Sequence, residues 1–572
     1  MYISDQLNTH NSGIIGIEWK EYAKPREKFN MKQAKQIFRD AVLLTAAALL
    51  MRTVGVWFQI AISNRAGAEA MGLFSLMSGV YGFALTFATS GIHLGVTRMV
   101  TETVSRGKSQ RVPGLMRRAV FYALFFGVTA SILLTSGAGT IARYWIKDAR
   151  VVTSLRLFAI TLPLLSLSSV FGGYFTAVRR SAKSAVGQVC EQALRIGFCM
   201  YLLAFFAGND TEHILIALVA GGALAETLSF LLELGLYLFD RRRHFPSARR
   251  ESASSEGRQL VRITLPVALT TYARSGLITL EHILIPEGLR NSGASHAAAL
   301  TAYGSIHGMA LPIILYPAAV IGAFSGLLIP ALAECRVTDS RARIRYMISR
   351  VWHFSLIFSI GVAGVLVCFS GELGNVLYPA TETGRYLRIL APLIPIMYVD
   401  TATDAMLKGL GEQFRSMIIN IADALLSVIL VWILVPRFGI VGYLVTIYVS
   451  EFFNTVLSIH RLLKVSGTIP KVLKWVYLPL ISVVGATFAA RGVLSLIGSI
   501  GNTKPTVFAH LLLGAAFYLL FVTLTGSIGK EERAWIRTLF RKTEVPRKDG
   551  VRETTGDIDG RPKPHATFRE AG

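Results

Sequence analysis

The sequence predicts an all-α polytopic membrane protein of about fourteen transmembrane helices, in two six-helix lobes plus two C-terminal helices. Three observations carry this. First, 52% of the 572 residues are hydrophobic and only 16% are charged, against about 25% charged in soluble domains; the mean hydropathy is +0.49. Second, long apolar runs recur from residue 41 to residue 526. Third, the connections between those runs alternate between strongly and weakly basic, as the two sides of a membrane require.

The runs read as spans at 41–62, 71–92, 118–140, 155–178, 187–207, 213–238, 260–285, 300–330, 351–371, 386–407, 416–435, 440–460, 475–497 and 506–526. Alternate connections hold Arg98 to Arg117, Arg179 to Lys183, Arg241 to Arg258, Arg336 to Arg350, Lys408 and Arg415, and Arg461 to Lys474. The others hold Arg65, then Arg143, Lys147 and Arg150, then Arg290, Arg385, Arg437 and Lys504. The first group outnumbers the second by about three to one, so it is expected on the cytoplasmic side, with both termini. This also accounts for the net charge of +24 without nucleic acid as a partner.

The longest basic connection, within residues 239–259, is expected to be a cytoplasmic linker between an N-lobe at 41–238 and a C-lobe at 260–460. The halves echo each other. "KSAVGQVCEQAL" (183–194) opens span five, and "RSMIINIADALL" (415–426) opens span eleven. Each places an acid seven positions after a serine; span six then carries Glu226 and span twelve Glu451. Duplicated halves around a midplane site are a transporter signature.

Spans thirteen and fourteen fill 475–526. The polar tail 527–572 is expected to be disordered and cytoplasmic, with "EERAWIRTLFRK" as a short surface helix. Residues 1–40 read as a cytoplasmic extension without a cleavable signal peptide, so span one acts as an uncleaved anchor. Arg26–Glu27 can be encoded as a ribosome-binding sequence, and Met31 opens a basic segment leading into span one, so translation is expected to start at Met31.

Absent motifs narrow the function. There is no GxxxxGK[ST] phosphate loop, HExxH or GxSxG, and no connection long enough to fold as a domain. Cys190, Cys199, Cys335 and Cys368 show no metal-ligand or disulfide spacing. No cofactor, metal or catalytic residue is expected. Chemistry must lie inside the bundle.

Charges within spans are the informative signal, because an arginine or aspartate at the bilayer centre costs about 2.5–3.5 kcal/mol. Arg52 is near the middle of span one and Arg274 near the middle of span seven, with Glu281 two turns further on. Seven residues at 100° bring Arg274 and Glu281 within about 20° of one face. They are candidate substrate contacts, or an ion pair. Asp400 and Asp404, one turn apart in span ten, are candidates for ion coupling, although a ladder to Lys408 explains them equally well. Glu191, Asp423, Glu226 and Glu451 are weaker candidates, with Arg195 as a partner. Arg388 and Arg491 are near enough to span ends to snorkel, and His93 and His307 read as structural. Pro266, Pro312, Pro317, Pro330, Pro392 and Pro395 mark bends, which membranes tolerate beside a cavity.

"VGVWFQIAISNRAGAEAMGLFSLMSGVYGFALTFATSGI" (54–92), "TLEHILIPEGLR" (279–290) and "YGSIHGMALPIILYPAAVIGAFSGLLIPALAE" (303–334) resemble stage V sporulation protein B-type membrane proteins. These belong to the multidrug/oligosaccharidyl-lipid/polysaccharide exporter superfamily, with the lipid II flippases. The resemblance covers about residues 31–526. It implies two six-helix lobes around a central cavity, alternating access, and a lipid-linked oligosaccharide as cargo. It aligns Gln59 with a first-helix arginine of relatives; here Arg52 is the available charge. The cation-coupled drug exporters of that superfamily often carry a first-helix acid. This chain has none beyond Asp40 at the edge of span one.

The expected function is therefore a flippase for a lipid-linked cell-wall precursor, such as that of spore cortex peptidoglycan, in the bacterial cytoplasmic membrane. Arg52 and Arg274 would bind its pyrophosphate, with Glu281 orienting Arg274. Membrane lipids and cell-wall synthesis enzymes are the expected partners. A cation-coupled multidrug exporter of the same fold is one alternative. A membrane-embedded glycan polymerase or glycosyltransferase is another, and it would want an essential outer carboxylate. The topology predicts that cysteines at positions 209 and 292 react with an impermeant thiol reagent from outside, while those at 247 and 340 do not. Outside reactivity at position 247 would overturn the arrangement.

Overall fold

The computed structural model describes residues 31–178, 180–206, 210–244, 254–379, 381–468, 473–497 and 503–527. The chain divides after Ser527, and all described residues belong to the first unit. The expectations for residues 1–30, for 245–253 of the linker and for the tail beyond Ser527 lie outside them.

No strand occurs among the described residues. The helices are α1 (Met31–Thr89), α2 (Ile92–Ser105), α3 (Val112–Thr140), α4 (Val152–Ala177), α5 (Ser181–Phe205), α6 (Thr211–His244), α7 (Ser254–Asn291) and α8 (His296–Gly304). They continue as α9 (Leu311–Leu315), α10 (Ala318–Val337), α11 (Arg341–Leu377), α12 (Thr383–Leu390), α13 (Ile394–Gly409), α14 (Gln413–Ser466), α15 (Leu478–Ile497) and α16 (Lys504–Leu524).

Among the described residues, 11 helical stretches are long and apolar enough to cross a membrane. Their relation to the fourteen expected spans is physical. The 59 residues of α1 would run about 90 Å if straight, some three times the hydrocarbon core. It breaks at Gly67, where φ is 79° and ψ 167°, between spans one and two. The 54 residues of α14 break likewise at Gly439, where φ is 56° and ψ −134°, between spans eleven and twelve. Only glycine takes such angles at little cost. Span eight is also discontinuous: α8, a π-turn at Ser305–Ala310, α9 and α10 follow one another. Pro312 and Pro317 break it by removing helix donors. Spans five and seven correspond to α5 and α7, which are not among the 11 stretches.

One difference from the expected layout concerns Arg98. It lies on α2, a helix following the turn at Ser90 and Gly91, whose inner face buries Ile92, Val96, Met99 and Val100.

The main core runs across both halves of the sequence. Met71, Leu73 and Met77 of α1 pack with Ile285, Leu300, Tyr303 and Met309. The tightest point is where α1 meets α8. A Cβ on Gly72 would lie 2.2 Å from the Leu300 carbonyl oxygen, and one on Gly304 would lie 2.0 Å from that of Ala68. The two backbones touch because neither residue has a side chain.

Gly304→Ala should therefore cost about 1–3 kcal/mol by overpacking. Gly114→Ala is the control, since a Cβ there meets nothing within 4 Å. Thermal melts of the purified protein should show a lower midpoint for the first variant alone. Equal melting of both would refute the close approach.

Candidate functional site

The candidate residues gather where α1 faces the broken span eight and where α7 faces α13 and α14. A pocket of about 610 Å³ is lined by Met51, Arg52, Gly55, Val56, Gln59, Gln192 and Pro312. Its architecture follows from the prolines. Pro312 has no N–H, so the Gly308 carbonyl lacks its i+4 donor. Gln59 Nε2 donates to that carbonyl at 3.2 Å. After the break at Pro317, the Ala319 N–H bonds to Tyr316, not Leu315. The Arg52 guanidinium donates to the freed Leu315 carbonyl at 3.0 Å. Tyr398 OH donates to the Ile314 carbonyl at 2.7 Å. Polar side chains of α1 and α13 thus replace the broken helix's missing donors. One N–H of Arg52 is used here; a guanidinium has five.

Arg274 and Glu281 do not form the expected pair. They are separated by about 10 Å of helix rise. Glu281 Oε1 accepts a hydrogen bond from Ser427 Oγ of α14 at 2.6 Å. Arg274 is exposed and makes no hydrogen bond or ion pair with the described residues. It lies within electrostatic reach of Asp400 and Asp423. The expectation that Glu281 orients Arg274 is therefore corrected.

Asp400 and Asp404 also part company. Asp404 is tied to Lys408 at 2.6 Å and accepts from Ser416 Oγ, so the ladder accounts for it. Asp400 Oδ2 accepts from Asn454 Nδ2 at 3.2 Å, while its buried Oδ1 has no partner. Asp423 Oδ1 accepts from Ser450 Oγ at 2.5 Å. Glu281, Asp400, Asp423 and Glu451 form one polar cluster between α7, α13 and α14. Sequence reasoning gave Asp423 and Glu451 little weight and did not single out Ser427 or Asn454. The repeat between the halves was the available signal.

The first half differs at the equivalent place. Arg195 pairs with Glu191 at 2.7 Å and with Glu226 at 3.0 Å. In the echo, Arg195 stands eleven positions after Ser184, and Ser427 stands eleven positions after Ser416. A fixed guanidinium in one half is thus a hydroxyl in the other.

A second polar network joins the halves where α3 turns into α4. The Arg150 guanidinium contacts both Asp148 oxygens and reaches Glu69 of α1 at 2.7 Å. Lys147, held at φ 60°, bonds Glu287 of α7 at 2.6 Å. His296, at the start of α8, lies 3.3 Å from Asp148. Two contacts, Lys147–Glu287 and His296–Asp148, therefore cross between the halves beside the Gly72–Gly304 approach. Burial opposes the Asp148 charge. Hydrogen bonds from the Arg150 guanidinium and backbone, the Arg150 charge and His296 outweigh it, and hold the carboxyl below its ordinary range.

The fold defines a polytopic α-helical membrane protein whose two halves enclose polar sites. The polysaccharide biosynthesis protein family matches residues 37–334, just over half of the chain, and the chain belongs to that family. A second family, MatE, matches residues 297–433. The chain is 22% identical to stage V sporulation protein B of Bacillus subtilis (strain 168) over 511 residues, covering 87% of this chain and 97% of that protein. It is also 22% identical to the lipid II flippase MurJ of the same organism, covering 69% and 77%. Among solved structures, a lipid II flippase MurJ in an inward closed conformation superposes with a TM-score of 0.66 at 12% identity, covering 87% of this chain and 100% of that one. An inward-facing multidrug resistance MATE family transporter of the MOP superfamily superposes with a TM-score of 0.56 at 14% identity, covering 74% and 99%. The structural likenesses establish the shared fold.

The Lys147–Glu287 contact predicts a charge-swap result. Lys147→Glu should lower the melting midpoint modestly, by an interaction of about 0.2–1 kcal/mol for so exposed a pair. Lys147→Glu/Glu287→Lys should recover most of it. The Asp148 contribution has a definite pH sign. Its carboxyl is depressed on folding, so its stabilisation is complete above the ordinary carboxylate range and is lost as pH falls through the lowered value. Melts between pH 5 and 8 should therefore show no loss attributable to Asp148. Failure of the swap to recover stability would mean that the Lys147–Glu287 contact contributes nothing to the attachment of the halves.

Proposed function

We propose that this protein is a flippase that carries a lipid-linked cell-wall glycan precursor across the bacterial cytoplasmic membrane by alternating access, with both termini cytoplasmic. The relatives' names, a stage V sporulation protein and a lipid II flippase, support a lipid II-like cargo, which we assign to spore cortex peptidoglycan. Residues 41–238 and 260–460 are taken as the moving lobes, with 475–526 as the appended pair.

The observation that carries this reading is Arg274. It is an always-charged group within a membrane helix, without an ion pair among the described residues, while Arg195 is neutralised by two acids. An unpaired guanidinium there costs about 2.5–3.5 kcal/mol unless water or an anion meets it. A pyrophosphate between lipid and sugar is such an anion, and its oxygens suit the planar donors of Arg274 and Arg52. The polyprenyl tail stays in lipid. Asp400, Asp423, Glu451 and Glu281 are assigned to coupling. Their cluster lacks the fixed cation of the first half, so a proton or small cation can enter and leave it. No nucleotide motif is present in the sequence, and an anionic cargo makes transport responsive to membrane potential.

The test is translocation of labelled lipid II in vesicles. Charged hydrogen bonds contribute about 1.5–3 kcal/mol, so Arg274→Ala should reduce transport by about ten- to a hundredfold. Folded yield should hold, because no hydrogen bond or ion pair to a described residue is lost. Arg274→Lys keeps the charge but loses the fork, so it should retain part of the activity. Glu281→Gln should change the ion dependence more than cargo binding. If Arg274→Ala folds and keeps full transport, Arg274 does not hold the cargo and the assignment fails.

A further inference from the structure

A second cavity lies apart from these residues, on the seam between α3 and α7. It measures about 550 Å³ and is lined by Arg117, Arg118, Phe121, Tyr122, Phe125, Leu260 and Val261. None of these residues is acidic. Arg117, Phe121 and Phe125 are spaced four apart and so share one face of α3. Phe121 is 74% exposed and Phe125 59% exposed on that face. Val261 of α7 is exposed and Leu260 is buried at the back of the slot.

Along α3 the slot is cationic at Arg117 and aromatic one and two turns deeper, and Leu260 and Val261 of α7 form its opposite wall. Arg117 follows Arg111 and Pro113 at the start of α3, on the side where basic connections concentrate. A guanidinium at headgroup depth with apolar rings one and two turns deeper matches a phospholipid, phosphate outward and chain inward. Basic pockets between membrane helices on the cytoplasmic side are suited to anionic headgroups.

The slot also joins the halves. Tyr122 of α3 accepts a hydrogen bond from Thr264 Oγ1 of α7 at 3.1 Å and shares Ser90 with Tyr272 at 3.1 and 2.5 Å. These hydroxyls form the polar floor above which α3 and α7 separate.

We propose that this slot holds one anionic membrane phospholipid, with its phosphate on Arg117 and its proximal chain along Phe121, Phe125 and Val261. Bridging α3 and α7, the lipid stabilises the arrangement of the halves described here. The site is distinct from the cargo contacts at Arg52 and Arg274 and does not depend on the cargo's identity.

The experiment uses the full-length protein in nanodiscs containing a phosphatidylglycerol with a photoactivated group on its acyl chain. After irradiation, peptide mapping should place label on 121–125 and 260–261. Unlabelled phosphatidylglycerol should compete, and phosphatidylcholine should not. Arg117→Gln should reduce this labelling at least about fivefold while labelling of other lipid-facing peptides is unchanged. Val261→Trp, which fills the slot and keeps both arginines, should abolish it; size-exclusion profiles show whether each variant is folded. Equal labelling by a phosphatidylcholine probe, or undiminished labelling of Arg117→Gln, would mean ordinary boundary lipid and would sink the proposal. Displacement by undecaprenyl pyrophosphate at far lower concentration than by phosphatidylglycerol would make the slot a cargo site and would equally overturn it. Neither result bears on Arg274, whose test is transport.

Discussion

A guanidinium inside a bilayer must be neutralised, hydrogen-bonded or wetted, and the interior of this bundle is arranged around three that are. Arg195 is neutralised by Glu191 and Glu226. Arg52 donates to Leu315, a carbonyl that is free only because the helix breaks at Pro317. Arg274 has neither solution and stands exposed within reach of Asp400 and Asp423. The first arginine is held in the packing and the second ties α1 to the broken span eight; the third, on the proposed function, is left for the cargo.

The comparison of Arg195 with Ser427 extends this. Two halves of common pattern place acids at corresponding positions, yet only the first supplies a tethered cation. A tethered cation cannot exchange, so its acids are a fixed element of packing. Acids held by hydroxyls and amides, as Glu281 is by Ser427 and Asp400 by Asn454, remain able to change charge state or partner. On the proposed function, this asymmetry would make the first half the scaffold and the second the half that responds to an ion.

The sequence made the helices legible, because apolar runs of that length follow from the solvent. Low charge density and the alternation of basic connections fix the number of spans to within the breaks at Gly67 and Gly439. Partners were not legible. Helical periodicity put Arg274 and Glu281 on one face, but rise along the axis separates them and α14 supplies Ser427 instead. Asp400 and Asp404 look alike in sequence, and only the position of Lys408 and Ser416 commits one of them. The Gly72–Gly304 contact left no trace either, since glycines are frequent in membrane helices and only the facing backbone shows which pair touches.

The proline breaks change what span eight offers its neighbours. A continuous helix satisfies its own carbonyls, so a neighbour gains little by approaching it. Span eight instead presents Gly308, Ile314 and Leu315 carbonyls to Gln59, Tyr398 and Arg52. Each such bond has a net worth of about 0.5–1.5 kcal/mol, or about 1.5–3 for a charged donor, because water is the competitor. If the halves were to part, as the proposed function requires, water would hydrate the same carbonyls and little would be lost. Attachment between α1 and span eight is therefore specific in position yet weak in net energy. Lys147–Glu287 at the α3–α4 turn has the same character, being an ion pair that solvent can replace. On the proposed alternating-access reading, specific, water-replaceable ties on either side of a tight glycine contact are what is needed, since stronger ones would trap a single state.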